Sequence, residues 1–163
     1  MLMRELSSLW HSLEDPEYLH LLLEPVPLFG LAFGLLFLIA SMALRATVVQ
    51  MLALIVIAIS CLSVQPAVKL RIQSEPRILA LQDPAFHPLI KLQTQRRSDT
   101  TWVYYGIAAV CVIGIALGRG KRRVIVGAVT IVVCSAGLMH ALWLHKKECE
   151  VYHRNIVKYA PVR

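Results

Sequence analysis

Six histidines, four cysteines and one glutamate at the head of an apolar run are the residues of this chain that could do chemistry. His11 and His20 precede the first apolar run, and His87 lies in the longest polar interval. His140 and His145 end the last apolar run, and His153 follows it. Two neutral imidazoles on facing helices are a common way for a membrane bundle to hold a b-type haem or a metal. His20 and His140 should lie at similar depth, so they are the candidate cofactor-binding pair for haem b, with His87 or His153 as substitutes. Glu24, at the same level, could add a carboxylate ligand or a proton-relay group. The plainer reading is that these imidazoles rest at the headgroup level. His140 and His145 point about 140° apart on a helix turning about 100° per residue, so they do not share one metal.

The cysteines suggest less. Cys61, Cys111 and Cys134 lie inside apolar runs, Cys149 lies beyond the last, and no two have CxxC spacing. They read as small buried hydrophobes rather than a disulfide framework or a zinc cluster. GxSxG, HExxH and CxxCH are absent. Gly118-Arg-Gly120 is a basic turn without the strand and helix of a phosphate loop. No paired carboxylates lie within the apolar runs. The expectation is a protein that is not an enzyme.

The elements that must position these residues are four apolar runs, at about Val26–Leu44, Ala46–Val68, Trp102–Gly118 and Val124–His145. A hydrocarbon core about 30 Å thick needs about 20 apolar residues of helix. A hydrophobic content of 57 % and a mean hydropathy of +0.62 exceed those of an ordinary soluble domain. The expected fold is therefore an all-α integral membrane protein. Its four transmembrane helices form two hairpins over 25–145, preceded by an amphipathic N-terminal arm (1–24) and followed by a basic tail (146–163).

The arm lacks a basic start followed by an apolar run, so it does not read as a signal peptide, and the first span serves as the insertion signal. The interval 69–101 contains Pro76, Pro84 and Pro88 and reads as a loop with one short helix around Leu89–Arg97. Gly30/Gly34 and Gly114/Gly118 have GxxxG spacing and are expected at tight helix contacts.

The net charge of +7 flanks the apolar runs rather than forming one stripe. It suits anionic lipid headgroups, with Arg119, Lys121, Arg122 and Arg123 as the contacts, and argues against nucleic acid. Both termini and the long interval share one side, with twelve of the seventeen Lys and Arg residues. That count places them inside, while the charge density of the two short turns argues the other way.

The stretch Leu19-His20-Leu-Leu-Leu-Glu24-Pro25-Val26-Pro27-Leu28-Phe29 resembles the opening of an uncharacterised bacterial four-helix membrane family, Leu-His-Pro-x-x-x-His-Phe-Pro. His20 matches its first histidine and Pro27 its closing proline, while Pro25 stands at the second histidine. The tail from Glu148 to Val157 is similar to that family's closing Gly-Glu-Leu-Val-Tyr segment. The resemblance implies two hairpins in a bacterial inner membrane and singles out His20. The functional expectation is a small non-catalytic subunit or scaffold of a larger membrane complex, respiratory or otherwise electron-transferring, with other membrane subunits as partners. The alternative is a b-type haem or metal protein.

Overall fold

The computed structural model describes residues 10, 12–118, 120 and 122–152, and these contain no strand. From Pro16 on, the helices of the described residues follow one another as α1 (Pro16–Leu23), α2 (Val26–Ala43), α3 (Thr47–Leu62), α4 (Val64–Leu81), α5 (His87–Asp99), α6 (Thr101–Leu117) and α7 (Arg122–Tyr152). They join end to end into four rods, Pro16–Ala43, Thr47–Leu81, Pro84–Leu117 and Arg122–Val151, each long and apolar enough to cross a membrane. The chain is an all-α, multi-pass membrane protein.

Local chemistry sets the joints. Asp15 caps α1 by accepting the Glu17 N–H at 2.9 Å, and Pro16 occupies a first-turn position where no N–H is needed. Pro25 has no N–H to continue α1, yet Glu24 and Pro25 keep helical dihedrals, so α2 carries on nearly in line. Ser63 joins α3 to α4, and its hydroxyl donates to the Ser60 carbonyl at 2.7 Å. At the α5–α6 joint, Thr100 and Thr101 donate to the carbonyls of Arg96 and Arg97 at 2.8 and 2.9 Å.

The interval 69–101 differs from its expected loop. It is helical to Leu81 and again from His87, with only a capped 3₁₀ turn, Pro84–Phe86, between. Pro84 and Pro88 fall in first turns, where the missing donor costs nothing. Pro76 lies in the polar half of its rod, where water can take the carbonyl it frees at Ile72. Rods of 35 and 34 residues reach about 50 Å at about 1.5 Å per residue, well beyond an apolar core of about 30 Å. The excess lies at the end opposite the two short turns, so the bundle continues past the bilayer as a polar helical extension.

In the apolar part, α2 packs on α3 and α7, and α6 packs on the same two, giving a four-sided bundle. In the extension, α4 packs on α1 and α5, and α5 also meets α7. Leu31, Leu38, Leu54, Ile57, Cys61, Cys111 and Cys134 fill the centre. Phe29, Phe33, Leu36, Phe37, Ile59 and Val132 face outward while Ser41, Gln50, Ser60 and Thr130 are buried. An apolar exterior over a partly polar interior suits a lipid environment.

The glycines sit where helices close. A Cβ on Gly30 would lie 1.9 Å from Ser60 Oγ, and one on Gly34 would lie 2.3 Å from Ile57 Cγ1, both on α3. A Cβ on Gly114 would meet Val126 at 3.2 Å, whereas Gly118 ends α6 and would strike only the Gly114 carbonyl of its own helix. Two further close approaches fall at Gly127 and Gly137 on α7.

Candidate functional site

Charged side chains gather where the apolar bundle meets its extension. Glu24 closes α1, Arg71 is on α4, Arg97 on α5 and Glu148 on α7. Arg71 Nη1 donates to Glu148 Oε1 at 2.8 Å and lies 3.7 Å from Glu24 Oε1. Arg97 grips both oxygens of Glu148 through Nε and Nη2, and its Nη2 also donates to Glu24 Oε1 at 2.8 Å. Arg71 Nε reaches Thr94 Oγ1 at 3.2 Å. Arg71 and Glu148 are almost fully buried, with side chains 3 % and 6 % exposed.

Two guanidinium groups and two carboxyl groups thus pair with one another across four helices. Arginine suits this place because its planar fork meets a carboxylate through two N–H groups. Removing one partner of such a buried set leaves an uncompensated charge and costs about 3–5 kcal/mol.

His20 belongs to the same cluster. Its Nδ1 donates to the Ala67 carbonyl at 3.2 Å, and its Nε2 lies 3.4 Å from Glu24 Oε2. A carbonyl can only accept, so Nδ1 carries the proton. The Nδ1–H is thus engaged by the Ala67 carbonyl, and the Nε2 lone pair faces the Glu24 carboxyl. The turn of α1 that presents His20 inward leaves Leu21 and Leu22 exposed, so α1 buries its histidine against α4 and turns its leucines outward. The expected arm is therefore part of the bundle from Pro16 on, and residues 1–9 and 11 lie outside the described residues.

His140 is placed differently. It lies between the rings of Tyr104 and Trp143, with centroids at 6.2 and 5.9 Å, and its Nε2 is buried without a partner. His87 Nε2 donates to the Gln82 carbonyl at 3.2 Å on the surface, and His153 falls outside the described residues. No group of three or more His, Cys, Asp or Glu among the described residues is placed to hold a metal. Of the basic turn, Arg122 is exposed and Arg123 bonds Thr47 Oγ1, while Arg119 and Lys121 fall outside the described residues.

Against the cluster lies a cavity of about 540 Å³. Glu24, Arg71, Arg97 and Glu148 line its polar side, and Leu28, Phe29, Ala141 and Leu144 its apolar side. His20, Tyr104, His145 and Cys149 also reach it, and His140 does not. Arg77 binds Asp15 and Glu17, each at 3.0 Å, fastening α1 to α4 at the surface, and Glu17 also lines the cavity. The Glu17 N–H and Arg77 hold the Asp15 carboxyl below the usual carboxylate range.

Sequence reasoning singled out His20 and Glu24 but not Arg71, Arg97 or Glu148. A signal was available: each lies within a few residues of an apolar run's end, on the same side of the membrane, and the two signs balance. No protein-family model, curated protein or solved structure matches the chain.

Proposed function

We propose that this protein is a small non-enzymatic membrane subunit or scaffold of a larger membrane assembly in a bacterial inner membrane. The observation that supports this reading is the clasp of Glu24, Arg71, Arg97 and Glu148. Its ionisable groups bind one another and hold four helices together, as a structural tie does.

A haem or metal role retains one observation in its favour, the buried unpartnered Nε2 of His140. One preparation tests both readings: solubilise the protein from its native membrane in mild detergent, then record native mass spectra and a visible spectrum. A colourless preparation carrying a fixed set of other subunits is the expected result. A lone chain without partners would overturn the scaffold reading. A Soret band lost on His140→Ala would put the haem reading in its place.

A further inference from the structure

The clasp occupies one side of the cavity and leaves the rest open. About 540 Å³ falls within the range of about 300–1,000 Å³ usual for small-molecule sites. Its walls come from both sides of the membrane boundary. Leu28, Phe29 and Leu144 belong to the apolar spans, whereas Arg71, Arg97 and Cys149 lie beyond them. Phe29 lines the cavity with 55 % of its surface exposed on the outside of an apolar span. A molecule seated here would have its tail among side chains at acyl depth and its head against the clasp.

The clasp also selects the head. Each arginine of the clasp already contacts both carboxylates. An anionic head would have to draw a guanidinium from a carboxylate and leave that carboxylate buried and unpaired. A cationic head would do the converse. Either exchange carries the cost of an uncompensated buried charge. A hydroxyl or carbonyl head can instead share lone pairs and N–H groups at the edge of the cluster without breaking an ion pair.

We propose that the cavity binds one amphipathic small molecule per chain, with an apolar tail and an uncharged hydroxyl or carbonyl head. A quinone and an acylglycerol both have this chemistry. The site goes beyond the scaffold reading and does not depend on it.

Cys149 supplies the reporter. It lines the cavity and is half-buried, whereas Cys61, Cys111 and Cys134 are buried in the bundle. The full chain is placed in phosphatidylcholine nanodiscs, and the rate of maleimide labelling at Cys149 is followed by peptide mass spectrometry. Four probes are compared at equal mole fraction: decylbenzoquinone, monoolein, oleate and dodecyltrimethylammonium. Saturable slowing of at least threefold by a neutral probe, with one molecule bound per chain in native mass spectra, is the expected result, and the more effective neutral probe identifies the natural source. Equal slowing by all four would reveal bilayer partition and overturn the site, as would no slowing at all. Stronger protection by oleate or by the ammonium probe would overturn the uncharged head. Leu28→Trp, which fills the apolar side, should abolish the protection. If that variant does not fold, the four-probe comparison on the unaltered chain still decides.

Discussion

Glu148 is the residue on which the polar end of this molecule depends. It meets both Arg71 and Arg97 at a position almost closed to solvent. Replacing it by an amide keeps its shape and removes its charge. We predict that Glu148→Gln destabilises the protein by about 3–5 kcal/mol, measured by denaturant or thermal unfolding in nanodiscs. Removing both signs together should be milder. The double variant Glu148→Met with Arg97→Met should lose less than the sum of its singles, and strict additivity would show that the two do not act as a pair. Arg45 carries a different kind of strain. It holds φ at 56° in the turn after α2, where its N–H reaches the Met42 carbonyl at 3.2 Å and Ala46 N–H reaches Ser41 at 2.9 Å. This is a helix-ending pattern that ordinarily carries glycine, since a Cβ there costs about 1–2 kcal/mol. Arg45→Gly should therefore raise the unfolding midpoint, and a fall would show that the arginine side chain matters more than its backbone.

Among elements, the α2–α3 contact is the closest. Gly30 and Gly34 face α3 at distances where any side chain must displace Ser60 or Ile57. Gly30→Val should separate the pair and cost about 1–3 kcal/mol, as overpacking does. Gly106 is the contrast, with nothing within 4 Å of its missing Cβ. Gly106→Ala should be neutral or stabilising by up to about 1 kcal/mol, because alanine is the better helix former. A comparable loss at both positions would mean that helix propensity, rather than fit, governs these glycines. The apolar spans were legible because their length and composition leave little else. The helices across 69–101 were not, because three prolines normally break helices. Here two fall in first turns, and one sits in the polar half of its rod.

For the whole molecule, rods longer than the bilayer predict where reagents can reach. Asp83→Cys and Glu150→Cys should react with a membrane-impermeant thiol reagent from one face of sealed vesicles, and Arg45→Cys only from the other. Reaction of Arg45→Cys and Asp83→Cys from the same face would refute the four-span arrangement. That arrangement and its apolar spans were determined by the sequence itself. Hydropathy and span number depend only on composition along the chain. The clasp and its cavity were decided only by tertiary structure. Arg97 lies 73 residues from Glu24 and 51 from Glu148, and Arg71 lies 77 from Glu148. No local period links such positions. Only the packing of four rods brings their ends to one depth. The same packing turned His20 toward the Ala67 carbonyl and Glu24, because a buried imidazole needs hydrogen-bond partners and these lay within reach.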